Sequence, residues 1–222
     1  TGTSTVSSTV TLSEIEATVR KAARAVGLDW GICEEAGKSA RWLAAFGLPG
    51  PDLMLKHLLY IESRDYKTMI PDCKQSPWRS PSESVCPIIA GAAISDRSVY
   101  MLADKEYVLV DVCYPLLMVA ALGQAAQIHK TPFSVRWLNV TVNCFENGIH
   151  VEGSREELFS ENVASVNCRH GGYSVSQIPP SLLAYSIDET VWEEISKLAF
   201  RTYVPASEES RAGAGAGMID ND

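Results

Sequence analysis

The segment from 115 to 129 sets the strongest constraint on what this chain can become. It reads as a helix, and Leu116, Leu117, Met118, Val119 and Leu122 leave it apolar nearly all round. A helix without a polar face is enclosed on most sides by the rest of its fold. Its continuous apolar run, Leu116 to Leu122, is far too short to cross a bilayer. The rest of the chain therefore has to wrap around it.

The elements before this helix are helical too. Ser13 and Glu16 have the spacing of a capping box, and Ile15, Val19, Ala22, Ala23 and Val26 then share one helical face. Gly27 suits the residue just past the helix end. A second helix is expected from Asp29, with Ile32, Ala36, Ala40 and Leu43 as its apolar stripe, ending at Gly47 and Pro49. Pro51 suits the first turn of a third helix, which carries Leu53, Leu55, Leu58, Leu59 and Ile61. Residues 63 to 86, with Pro71, Pro77 and Pro81, read as a long irregular stretch, a place where binding loops or lids occur.

Strand signals begin near residue 85. Val85 to Ile94 predicts a buried strand, and Val99 to Leu102 with Tyr107 to Val112 predicts a strand pair. Val135, Trp137, Val140, Val142 and Phe145 lead into Asn147-Gly148, with Ile149 and Val151 beyond. That pattern predicts a hairpin with a type I′ turn, whose central residues need positive φ. Val163 to Cys168 extends the sheet. A last helix starts at Asp188, turns Val191, Trp192, Ile195, Leu198 and Ala199 inward, and closes at Pro205.

Helices first, then strands around a buried helix, then a final helix read as α+β with a mainly antiparallel sheet. Residues 1 to 10 read as a disordered lead-in and 11 to 222 as one globular domain. Within it a helical subregion spans 11 to 62 and a sheet-centred one 85 to 205. At 222 residues the chain can bury roughly 70% of its unfolded surface, so it needs no disulfide or metal staple.

The net charge of -8 argues against nucleic acid and against a polybasic membrane anchor, though not against a local basic pocket. The six cysteines form no C-x-x-C pair, and no signal peptide is visible. Reduced thiols and a cytoplasmic location are expected, which leaves the sequon Asn139-Val140-Thr141 without meaning.

The stretch Glu34-Glu35-Ala36-Gly37-Lys38-Ser39-Ala40-Arg41-Trp42-Leu43, followed by Gly47-Leu48-Pro49-Gly50, resembles the N-terminal signature of an uncharacterised bacterial family known only as a domain of unknown function. Cys86-Pro87-Ile88-Ile89-Ala90-Gly91-Ala92-Ala93 and the ending from Arg201 through the Gly-Ala alternation to Asp222 fit it too. The resemblance implies no activity or cofactor. A fainter likeness is to the malate and lactate dehydrogenases that lack the Rossmann fold, through two N-terminal helices joined by Gly-Leu. That group carries a histidine motif after its second helix, whereas Phe46 to Pro51 holds no histidine. No dinucleotide-binding glycine fingerprint is present either.

Candidate chemistry gathers first at the C-terminus. Arg201, Tyr203, Ser210 and Arg211, with Gly213, Gly215 and Gly217, form a candidate anion site, because glycines expose backbone N–H groups and arginines take carboxylate or phosphate bidentately. Glu208 and Asp220 are its candidate acid and base. The competing reading of the same segment is a flexible, solvated tail. Cys86, expected at the mouth of a turn, is a candidate nucleophile, but most cysteines are small core residues. His170, two residues beyond Cys168 at a strand end and followed by Gly171-Gly172, is a weaker candidate. Lys38, Arg41 and Trp42 read as an ordinary solvated helix face and, alternatively, as a wall for an anionic ligand.

Two functions are expected from these residues. One is an enzyme acting on a polar or carboxylated metabolite by acid/base chemistry (a lyase, isomerase or hydrolase), with no metal and no organic cofactor. The other is a non-catalytic binding or assembly protein, homo-oligomeric, whose glycine-rich end docks on a partner subunit.

Overall fold

The computed structural model describes residues 6–82, 84–98, 106–172 and 176–202. Three helices open the core: α1 (Leu12–Ala25), α2 (Trp30–Ala45) and α3 (Gly50–Glu62). α1 starts two residues earlier than its sequence signal. The capping box is Thr11 with Glu14, whose side chains and backbone bond reciprocally, rather than Ser13 with Glu16. The displacement has a cause: Ser7–Thr11 is strand β1, where a disordered lead-in was expected through residue 10. β1 pairs antiparallel with β7 (Ala184–Asp188), so the chain enters α1 straight from a two-stranded sheet. Asp188 caps α7 (Glu189–Phe200), accepting from the N–H groups of Thr190 and Val191, and α7 packs on α1.

The stretch expected as a strand from Val85 to Ile94 is instead helix α4 (Pro87–Ser98). Pro87 suits a helix start, and Ile88, Ala90, Gly91 and Ile94 are buried on α4 as it lies against α5 (Leu116–His129). α5 is the enclosed helix that the sequence demanded. α2 and α4 cover it on the helical side, and strands β3 (Phe133–Trp137) and β4 (Val140–Phe145) cover it on the other. Every residue from Leu116 to Ala120 is buried.

The main sheet is antiparallel in the order β2 (Glu106–Cys113), β6 (Asn162–His170), β3, β4, β5 (Gly148–Glu152). The architecture is thus α+β, as expected. Residues 99–102, expected as a strand, lie outside the described residues. One sheet face is apolar and meets α5 through Phe133, Val135, Val142 and Cys144, while the other is polar. Each edge strand meets a further segment. Trp78 and Val85 form parallel bridges to β2, and Ile178 bonds to Ile149 of β5. These contacts occupy part of each edge, where unpaired backbone would otherwise be open to a foreign strand.

The hairpin around Asn147-Gly148 exists, but its turn differs from the expected type. Phe145 pairs with Gly148, which leaves Glu146 and Asn147 as the loop, and neither Asn147 nor Gly148 has positive φ. Gly148 meets a different need, since a Cβ there would fall 2.6 Å from the Ile178 carbonyl oxygen. The apolar run 135–145 also contains a reversal that its pattern hid, at Leu138-Asn139, with Leu138 at φ 48.

Candidate functional site

Cys86 is the sequence-predicted site residue with the most informative surroundings, and it is inside the core rather than at a turn mouth. The bridge between Val85 and Val112 sets the next residues, Cys86 and Cys113, side by side, and α3 delivers His57 onto both. Cys86 Sγ lies 3.4 Å from His57 Nε2, and Cys113 Sγ lies 3.7 Å from His57 Nδ1 and 3.3 Å from the Val85 carbonyl oxygen. The Tyr114 ring meets the imidazole edge-on at 5.7 Å.

Burial decides the electrostatics of this cluster. It pushes His57 down to about 3 and Cys86 up to about 11, and the N–H groups of Ile88 and Ile89 at the start of α4 offset only part of the rise. Cys113 is pushed higher by its own burial and by the neighbouring thiol. At neutral pH the three groups are uncharged, and an uncharged thiol is a poor nucleophile. The two thiols approach opposite nitrogens of one ring, so the cluster does not converge on a common metal position. Among the described residues no group of three or more His, Cys, Asp or Glu is arranged to hold a metal ion.

Sequence reasoning passed over His57. A signal was present: Leu53, His57 and Ile61 stand four apart on α3, so the imidazole falls on the buried stripe.

His170 ends β6 with its ring edge-on to Phe133 at 4.7 Å, and its Nε2 is buried with no partner among the described residues. Cys168 lies on the same strand face but is not hydrogen-bonded to it. Arg201 ends α7 and pairs with Glu62 at the end of α3, tying those helices together. Cys86, His170 and Arg201 make no contact with one another among the described residues. Tyr203, Glu208, Ser210, Arg211, Gly213, Gly215, Gly217 and Asp220 lie outside the described residues.

An open cavity of about 530 Å³ lies elsewhere among the described residues, between α1, α2 and the strap of residues 180–183. Lys38, Arg41 and Trp42 stand at i, i+3 and i+4 on α2 and form one wall, with Leu12 and Leu182 opposite. A second cavity of about 150 Å³ adjoins it across Trp42 and Pro180. The indole rests in the space beside Gly123 of α5 and tilts against Phe46 with ring centroids 4.5 Å apart. The cations are held by acids: Lys38 Nζ is 2.8 Å from Glu35 Oε1, and Arg41 Nη1 is 2.6 Å from Glu16 Oε2. The Glu35 hydrogen bond raises the Lys38 pKa, which keeps the amine charged.

The strap is pinned by α2 itself. Ala45, in the last turn, has a carbonyl left over from the helix ladder, and the N–H groups of Ser181 and Leu182 donate to it at 3.1 and 3.2 Å. Leu12 N–H donates to Leu183 O at 3.3 Å, closing the far end. The strap gave no periodic signal, and only Pro179-Pro180 marked it as an extended segment.

Comparison with known proteins extends this picture modestly. Residues 10–88 match the family described as "Protein of unknown function (DUF3726)", a little over a third of the chain. The likeness to a domain of unknown function is therefore upheld over a stretch that holds Lys38, Arg41, Trp42, His57 and Cys86. No curated protein matches the chain. Among solved structures, malate dehydrogenase from Entamoeba histolytica is similar over 78% of this chain and 51% of its own, at 16% identity and a TM-score of 0.37. The chain spans about half the length of that enzyme.

Proposed function

We propose that the chain binds a small carboxylated metabolite with an apolar body in the groove between α1, α2 and the 180–183 strap. The observation that carries this reading is the Trp42 indole flanked by Arg41 and Lys38 on the wall of the 530 Å³ cavity. The indole and the leucines would take the apolar body, and the cations its carboxylate. Their present partners, Glu16 and Glu35, form solvent-touching pairs of the kind that contribute little, so a ligand carboxylate can compete for Arg41 at small cost. Among the described residues that line the groove, Glu16 is the one acid, and Arg41 already holds it, which favours binding over acid/base turnover.

Calorimetric titration with phenylacetate and with its neutral amide tests the reading. The acid should bind saturably and the amide at least tenfold more weakly. Replacing Lys38 and Arg41 together by Gln should abolish the difference. Equal binding of acid and amide, or no binding of either, would overturn it.

Assembly through the strap is a second reading. It is favoured by Leu183, 88% exposed beside Leu182 on the groove rim. Sedimentation separates the two: dimerisation that Leu183→Ser abolishes supports assembly, and a monomer at all concentrations excludes it.

A further inference from the structure

We infer that the polar face of the main sheet holds a second site, for a small oxyanion such as a phosphate or carboxylate group, gripped by Arg136 and Arg169. The strand register builds it. β3 is the central strand, and its Ser134 and Arg136, two residues apart, emerge on the same side. Ser134 stands opposite Arg169 of β6 and Asn143 of β4, and Arg136 stands opposite Asn167 of β6 and Thr141 of β4. Six polar side chains thus form two adjoining rows of three. The arginines are diagonal neighbours across β3 and β6, roughly 7–8 Å apart at the backbone, within reach of one shared anion.

Three features mark this patch as more than a wetted sheet face. A cavity of about 60 Å³ opens between Ser134, Arg136, Thr141, Asn167 and Arg169, which is room for a few waters or one oxyanion. Ser134 is only 5% exposed overall yet lines this cavity, and its hydroxyl has no hydrogen bond among the described residues. A hydroxyl facing the cavity can donate to an oxyanion bound there. The guanidinium groups of Arg136 and Arg169 likewise have no ion pair among the described residues, in a chain whose net charge is -8. Two planar forks with free donors suit an oxyanion better than any neutral ligand.

Glu106 completes the lining. It faces Arg169 across β2 and β6 and accepts from the Asn167 amide at 2.9 Å. Its charge leaves one net positive charge around the cavity and weakens the grip on an anion. The site shares no residue with the Trp42 groove, so this inference does not rest on the function proposed above.

Titration of the full chain with inorganic phosphate and, separately, with acetate, each in chloride at constant ionic strength, tests it. Saturable binding of either anion is expected, and the tighter one identifies the group recognised. Replacing Arg136 and Arg169 together by Gln should weaken it at least tenfold, Glu106→Gln should tighten it several-fold, and the Lys38/Arg41 double Gln variant should leave it unchanged. Absence of saturable binding overturns the inference. So does equal affinity in the Arg136/Arg169 variant, or a loss of affinity in the groove variant instead. If the double arginine variant fails to fold, Glu106→Gln still decides: unchanged or weaker binding there refutes the site.

Discussion

Trp42 occupies the space that a side chain at Gly123 would need, since a Cβ built on Gly123 would fall 2.1 Å from the indole Cζ2. The groove wall on α2 is therefore set by a missing side chain on α5. Gly123→Ala should gain about 1 kcal/mol of helix propensity and lose more, because a rigid bicyclic ring has to leave its seat. A net destabilisation of about 1–2 kcal/mol is expected, with weaker phenylacetate binding as the indole is displaced. Thermal denaturation and calorimetric titration check both. A variant as stable as the parent with full binding would show that the indole is not held there.

The same substitution should have opposite signs at two places in α2. A Cβ on Gly31, in the first turn, meets nothing within 4 Å, whereas one on Gly37 falls 2.7 Å from the Glu16 carbonyl oxygen of α1. Gly31→Ala should be neutral or stabilising by a few tenths of a kcal/mol, up to about 1, through the lower entropy of its unfolded chain. Gly37→Ala has to push backbone away from backbone, and about 2 kcal/mol or more of destabilisation is expected. Urea denaturation midpoints of the two variants, measured side by side, give the signs.

These glycines also show where the sequence was legible and where it was not. Helix faces follow from local spacing, so α1, α2, α3, α5 and α7 were readable from apolar periodicity and caps. β1 and β7 were not, because each is a five-residue strand with a single buried residue and only the other as its sheet partner. α4 was misread as a strand because a short apolar run has no period to distinguish the two. Of the two sites, Lys38, Arg41 and Trp42 were visible as a cluster on α2, with nothing to show that a strap 140 residues later closes a groove over them. The sheet-face site needed register: Ser134 beside Arg169 is a fact of pairing that composition does not carry.

Thiol reactivity follows from burial. Cys33, Cys86, Cys113, Cys144 and Cys168 are buried, and Cys73 is partly exposed. A thiol reagent at neutral pH should titrate about one cysteine in the native chain, the one lost in Cys73→Ser, and all six in denaturant. Fast native modification of Cys86 would show that the core around His57 opens to solvent, and would restore the nucleophile reading.

His57 should govern part of the acid stability. Its folded pKa, about 3, lies below the 6.5 of an unfolded imidazole because the buried ring is not solvated when charged. Between those values the unfolded chain takes up a proton that the folded chain refuses, so stability is complete above pH 6.5 and falls as the pH drops towards 3. Between pH 8 and 5 this one group should remove about 2 kcal/mol. Asp52 works in the opposite direction, since burial raises its pKa, but it is common to parent and variant and cancels in the comparison. In His57→Leu the Cys86 and Cys113 thiols lose their partner, which lowers stability at every pH and leaves the slope as the diagnostic quantity. Denaturant unfolding at pH 8 and pH 5 should show the parent losing about 2 kcal/mol more than the variant. Equal losses in the two would mean that the imidazole is reached by water or already charged in the folded state, and that the neutral thiol–imidazole–thiol cluster is incorrectly described.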